Sequence, residues 1–296
     1  MMTAGALLKQ RWSNGTGRPL FDINFFIESV FPEHLPTARV NCLFVHPEWF
    51  RDENLAHLPR LDYVLCKTPS GVAAFAGLPV TCRNLSFTSP DRWLPGLDRS
   101  GPLHCLHLSG QSADKGTEAV VEAWSRHPEW PWLTVVRRAR RYGGEAASPL
   151  PPLPNVRYET EFVPDDQLRR LQNGCQVHVI PSRAEGYGHV IGEAMSCGAV
   201  VVTTDAPPMN ELVEADRGVL VRVERSEPMR RSMRNFVDVG DLESKLNGVF
   251  AMSPEQRLAL GRNARAWFEG QHRRFENALG AFLDDISGQI HQEHTT

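Results

Sequence analysis

Glu185 and Glu193 stand eight positions apart in RAEGYGHVIGEAMSCGAVVVTTDAPPMNEL, residues 183–212. The first lies in a glycine-rich turn and the second in a segment with helical periodicity. Carboxylates accept hydrogen bonds from paired hydroxyls. Gly186 and Gly188 permit a tight turn into a helix whose first amides are unpaired and attract phosphate. Two acids flanking a phosphate site suit a ligand with a polyol at each end and a diphosphate between, which is the order of groups in a nucleotide sugar. Carboxyls that cleave glycosides sit about 5 to 9.5 Å apart, whereas eight residues of helix span roughly 12 Å, so the spacing favours a clamp. An isolated pair at this spacing is most often two surface acids, so the flanking elements carry the weight.

Those elements alternate. LHCLHLSG (103–110), WLTVVRR (132–138), VRYETEF (156–162), CQVHVIPS (175–182), GAVVVTTD (198–205) and GVLVRV (218–223) read as strands. GTEAVVEAWSRH, PDDQLRRLQNG and GHVIGEAMSCG read as the helices between several of them. Strand and helix in series imply a parallel, doubly wound α/β sheet, which binds ligands at the carboxyl ends of its strands. The first hundred residues repeat this more weakly, with ARVNCLFV (38–45), LDYVLCK (61–67) and LPVTCRNL (78–85) as strands and PSGVAAFAG as a helix. An opening strand is missing or degenerate, SNGTGRP (13–19) being its only candidate loop, and SPDRWLPGLDRSGP reads as a linker. After residue 240 the chain is helical, with Ser253 as cap and Pro254 as first helical residue of the last segment.

The stretch PSRAEGYGHVIGEAMSCGAVVVTTDAPPMNELV resembles the signature of retaining GT-B glycosyltransferases of family 4, the glycosyl transferases group 1. Its marks are Glu-Gly-aromatic-Gly, a second Glu in E-A-M, a small residue with Gly, a strand, and a Pro-x-x-E-L turn. The likeness covers roughly residues 103–285. It implies an α/β GT-B fold of two Rossmann-like domains facing across a cleft, here with a reduced amino-terminal domain. The expected division is 1–100 for the acceptor side, 101–285 for the donor side with the terminal helices, and a tail at 286–296. By the same likeness Glu185 contacts the transferred sugar, Glu193 the ribose hydroxyls, and the amides around Gly188, His189 and Val190 the phosphate or sugar. Lys115, in SGQSADKGT, faces the donor diphosphate and stabilises it as it leaves. Many relatives carry an arginine in this loop where this chain has Gln111 and Ser112, so phosphate contact falls to Lys115, Ser112 and the amides near Gly110. Val163 lies where relatives hold the base, and Asn210 and Glu211 in the turn that lines their sugar pocket; the alternative for these last two is a helix cap.

In the first half, three polar clusters end strand-like runs: His46, Glu48 and Trp49; Lys67 and Thr68; and Thr88, Ser89, Asp91 and Arg92. His46 and Lys67 are the first candidates for catalysis there. Retaining transfer without a nucleophile is drawn as front-face attack, in which the departing phosphate takes the acceptor's proton and positioning carries the rate. No D-x-D pair is present, and His104 and His107, three apart on a strand, point to opposite faces, so no metal and no cofactor is expected beyond a UDP- or GDP-sugar donor. The acceptor is open: a glycan, a lipid-linked sugar, a small molecule or a modified base in DNA, the last suggested only by RRARR at 137–141. A catalytically silent nucleotide-sugar-binding protein is the other alternative, suggested by the reduced first domain.

Composition agrees with this class. The chain has 296 residues, 41% of them hydrophobic and 23% charged, with a net charge of -3, which gives no global basic field for nucleic acid or membrane. Six cysteines lack C-x-x-C spacing, the amino terminus holds too short an apolar run for a signal peptide, and no stretch approaches the roughly 20 apolar residues of a spanning helix. A soluble, cytoplasmic transferase is the expectation.

Overall fold

The computed structural model describes residues 19–97, 99–138 and 150–293. It is a mixed α/β structure with parallel sheets that falls into two compact units. Unit 1 comprises the chain up to Phe87, Arg230–Ser232 and the segment from Arg273 onward; unit 2 comprises Thr88–Met229 and Met233–His272.

Unit 1 holds a four-stranded sheet in the order β1 (Phe21–Ile27), β2 (Ala38–Phe44), β3 (Tyr63–Cys66), β4 (Thr81–Asn84), every pair parallel. The strands progress in one direction across the sheet. Successive residues alternate faces, and the two faces are covered differently. Leu43, Val64 and Cys66 pack with Leu58 of the 3-10 segment Asp52–Arg60 and with Phe75 beside helix α1 (Pro69–Ala74). Val40, Cys42 and Leu65 pack instead with Phe282, Ile286 and Ile290.

Unit 2 holds a six-stranded sheet in the order β10-β9-β8-β5-β6-β7, all parallel. Its strands are β5 (His104–Gly110), β6 (Trp132–Arg137), β7 (Val156–Glu159), β8 (Val177–Ile180), β9 (Val200–Thr204) and β10 (Gly218–Val221). On one face Val120, Ala123 and Trp124 of α2 (Thr117–Arg126) and Leu242, Leu246 and Val249 of α6 (Val239–Ala251) pack against Cys105, Leu133, Val135, Val177 and Val200. On the other, Leu106, Leu108 and Val136 meet Leu168 and Leu171 of α3 (Asp165–Gly174) and Val190 of α4 (His189–Ser196). Both faces are thus covered by helices, each fully buried aliphatic side chain contributing about 1.5–3 kcal/mol. The chain leaves β5 toward β7, then returns to β8 and runs the other way, so the winding reverses between β5 and β8.

Four expectations change. The opening strand is present as β1, an edge strand on which Phe21, Phe25 and Ile27 are exposed. It was hidden because its link to β2 contains one 3-10 turn, Leu35–Thr37, in place of a helix of readable period. The boundary falls after Phe87, not at residue 100, and the proline-rich linker packs within unit 2. The tail at 286–296 is helix as far as Glu293: α7 runs from Pro254 to Glu293, and its end covers the second face of unit 1's sheet. A two-stranded sheet, β11 (Val223–Met229) with β12 (Ser232–Val237), was not foreseen, because VERSEPM and SMRNFV lack an apolar alternation.

Ser253 caps α7 as expected: its Oγ accepts from the Gln256 amide at 3.3 Å while the Gln256 side chain accepts from the Ser253 amide at 2.8 Å, a reciprocal capping pair. Among the described residues no helix is long and apolar enough to cross a membrane. SNGTGRP lies outside the described residues except for Pro19, and of RRARR only Arg137 and Arg138 are described.

Candidate functional site

In unit 2, Lys115 follows β5 and Glu185 follows β8, the two strands between which the winding reverses. Open α/β sheets form their ligand crevice at the carboxyl ends of strands at such a switch point. The two loops are held together by main chain. The Arg183 amide donates to the Asp114 carbonyl at 2.7 Å. Gly116, at φ 70°, lies so close to the other loop that a Cβ there would stand 2.1 Å from the Pro181 carbonyl oxygen. Only glycine meets both demands.

This approach brings the Lys115 ammonium onto the Glu185 carboxylate as an ion pair, with side chains only 15% and 10% exposed. Ser112 caps the 3-10 turn Ala113–Lys115, its hydroxyl accepting from the Asp114 amide at 3.1 Å. The Asp114 carboxylate in turn accepts from Arg234 Nε at 2.7 Å. Arg234 belongs to β12, and the Asn235 amide beside it donates to the Arg183 carbonyl at 2.7 Å. β12 therefore braces both loops.

Past Glu185 the chain turns through Gly188 at φ 104° and starts α4 at His189. Residues 185 to 188 lie outside the helix, so the helical spacing of roughly 12 Å expected for Glu185 and Glu193 applies only from residue 189 onward. Glu193 is partly buried, and one of its oxygens accepts from the Gln172 side-chain amide at 2.7 Å. Burial raises its pKa above the usual carboxylate range, opposed by the Gln172 hydrogen bond and the positive charges of Arg92 and Lys115. His189 is exposed, and its Nδ1 lies 3.1 Å from the Ser89 hydroxyl. Gly192 admits that serine: a Cβ would stand 2.5 Å from Ser89 Oγ.

The remaining expected donor residues spread along the same sheet edge. Gly110, at φ 55°, ends β5, its carbonyl accepting from the Arg138 amide at 2.8 Å, and Gln111 beyond it is exposed. Val163 and Val190 pack against one apolar cluster beneath the strands. Asn210 and Glu211 lie in the short helix α5 (Met209–Leu212), where Asn210 Nδ2 donates to Asp205 at 3.0 Å. His104 and His107 are engaged separately, His104 with Thr134 and His107 with Val179 and Thr117, and burial holds His107 down to about 4.

Unit 1 collects a second group at the carboxyl ends of β1, β2 and β3. His46 lies 3.4 Å from Glu28 and 3.5 Å from Glu48, and its Nε2 meets the Lys67 ammonium. A charged lysine has only donors to offer, so in that contact Nε2 is the acceptor. Lys67 is buried, which pushes it down to about 8 against the upward pull of Glu48 and Glu28. Glu28 was missed with its strand; its φ of 64° marks a tight reversal directly after β1. Thr88, Ser89, Asp91 and Arg92, expected beside this group, belong to unit 2. There Asp91 pairs with Arg265 and Arg92 with Asp165.

Residues 155–266 match the family Glycosyl transferases group 1. A GDP-mannose:cellobiosyl-diphosphopolyprenol alpha-mannosyltransferase of Xanthomonas oryzae pv. oryzae (strain PXO99A) is 40% identical over 63 residues, 21% of this chain and 17% of that protein. This chain therefore spans a small part of that relative. Among solved structures, the GtfA/B complex superposes with a TM-score of 0.68 at 16% identity, over 97% of this chain and 61% of the other. Sucrose-phosphate synthase from Thermosynechococcus elongatus gives 0.68 at 15% identity, over 96% and 77%. The fold is GT-B, with two Rossmann-like domains.

Proposed function

From the premise that this GT-B chain carries a glycosyl transferases group 1 domain at residues 155–266, we propose that it moves a sugar from a nucleoside diphosphate donor to an acceptor hydroxyl, with retention at the anomeric carbon. The observation that carries the reading is the meeting of Lys115 and Glu185 at the winding reversal of unit 2, one turn of chain before α4 and Glu193. In this reading Glu193 accepts from the ribose hydroxyls and Glu185 from the hydroxyls of the transferred sugar. Lys115 and the first amides of α4 carry the diphosphate.

The anomeric carbon's bond to the diphosphate oxygen breaks, and the acceptor oxygen bonds to that carbon on the same face. The acceptor's proton passes to the departing diphosphate. Lys115 stabilises the charge that develops there, a contribution of about 3 to 4 kcal/mol in comparable sites. The mechanism requires no metal and no cofactor; His104 and His107 are already engaged by Thr134, Val179 and Thr117.

The test is a thermal-shift panel of nucleoside diphosphates and nucleotide sugars, with GDP-mannose included because of the mannosyltransferase relative. One base should stabilise the protein, Lys115→Ala should abolish the shift and Glu193→Ala should reduce it. Proton NMR of the product with the donor so identified then reads the anomeric configuration. A panel without any shift, or shifts that survive both substitutions, overturns the proposal.

A further inference from the structure

We propose that Gln172 is a positioning residue of the donor site: it holds the Glu193 carboxylate ionised and in one orientation, through an amide that Arg92 in turn fixes. The inference rests on the reading that Glu193 receives the ribose hydroxyls. Nothing in the residue pattern around Glu185 and Glu193 points to Gln172, which lies in α3, twenty-one residues upstream of Glu193.

Gln172 is fully buried, and both ends of its side-chain amide are used. Its Oε1 accepts from Arg92 Nε at 2.8 Å, and its Nε2 donates to Glu193 Oε2 at 2.7 Å. An arginine offers only donors and an ionised carboxylate only acceptors. An amide between them has a single permitted orientation, so Nε2 faces Glu193. Leucine would offer neither group, and glutamate would set an acceptor against an acceptor.

The arrangement is anchored on every side. Arg92 Nη1 pairs with Asp165 at 2.8 Å, and Arg92 Nη2 donates to the Asp165 carbonyl at 3.2 Å. The Arg92 amide donates to Ser196 Oγ at 2.9 Å, and that hydroxyl donates to the Glu193 carbonyl at 2.7 Å. His178 Nε2 lies 2.9 Å from the Gln172 carbonyl oxygen, tying α3 to β8. A buried carboxylate with no donor takes up a proton or turns toward water. Held by Gln172 through one oxygen, Glu193 keeps the other for a ligand.

The experiment compares each of GDP and UDP with its 2′,3′-dideoxy counterpart by calorimetric titration. Hydrogen bonds from ligand hydroxyls to a carboxylate are expected to favour the ribo form roughly ten- to a hundredfold in wild type. Gln172→Met should bring that ratio close to one while leaving the dideoxy affinity unchanged, a split that general loosening of the fold does not produce. Gln172→Glu keeps the shape if the methionine variant fails to fold. Its carboxyl pair, beside Arg92, Asp165, Lys115 and Cys197, should share a proton at acidic pH and retain the preference, then lose it toward alkaline pH as both ionise. Glu193→Ala is the control for the underlying reading. If Glu193→Ala abolishes the preference and both Gln172 variants keep it across the pH range, the role of Gln172 is overturned alone. If Glu193→Ala leaves the preference intact, the ribose assignment falls and takes this one with it.

Discussion

Both units end a parallel sheet in a group of paired charges, yet the two groups are built differently. In unit 2 the winding reverses between β5 and β8 and separates two loops, Lys115 comes from one and Glu185 from the other, and a glycine contact draws them together. In unit 1 the strands run in order from β1 to β4 without reversal, and Glu28, His46 and Lys67 come from three successive strand ends. The unit 2 pair lies one turn of chain before the amino-terminal end of α4, whose dipole favours an anion. The unit 1 group answers its own charges, with buried Lys67 facing His46 and drawn by Glu48 and Glu28. In the proposed reading the first receives a charged ligand; the second balances buried charges at the ends of three strands, where His46 and Lys67 remain the candidates of that unit.

Substitution of Lys115 by alanine tests the first half of that contrast most severely. Loss of a cation at the leaving group should lower turnover of the identified donor by about a hundred- to a thousandfold, and the melting temperature should fall as well, because the largely buried Glu185 loses its partner. Retention of wild-type turnover would remove Lys115 from the chemistry.

The glycines sharpen the contrast at the level of stability. Gly116→Ala adds a Cβ 2.1 Å from a carbonyl oxygen at φ 70°, whereas Gly77→Ala in unit 1 has φ 77° and open space around it. Overpacking together with left-handed backbone should cost roughly 3 kcal/mol or more at Gly116, and the backbone effect alone about 1 kcal/mol at Gly77. Urea denaturation measures both, and equal losses would mean that the two loops of unit 2 are not in contact.

Arg234→Met leaves Asp114, which is buried, without its partner from β12. The pair is partly open to solvent, so a loss of about 1 kcal/mol is expected, together with weaker nucleotide binding as the Lys115 loop relaxes. Unchanged binding would show that β12 does not brace the site.

The smallest effect is a titration. Lys67 should lose its proton near pH 8, and Glu48→Gln should move that midpoint lower, because Glu48 raises it. Carbon NMR of the lysine side chain follows the change directly. A midpoint near the ordinary lysine value of 10.5 would mean that Lys67 is hydrated and that the unit 1 group is open.

Much of unit 2 was legible because its signals are local. VVVTT between glycine and Asp205 is a buried strand in any context, and EGYGHV announces a turn into a helix through the backbone freedom of its glycines. The edge strand β1 and the sheet formed by β11 and β12 were not legible, because their residues are half exposed and carry no period of two or of 3.6. Gln172 was read only as part of a helix between two strands; its use depends on Arg92 and Glu193, eighty residues before it and twenty-one after it.

Local sequence specified which residue types surround the turn into α4, since glycine conformation, helix polarity and carboxylate chemistry operate within a few positions. Which partners those residues take was decided only when the sheet wound in two directions and brought Lys115 to Glu185 and Gln172 to Glu193. Burial and charge pairing depend on distances that contiguous residues do not encode.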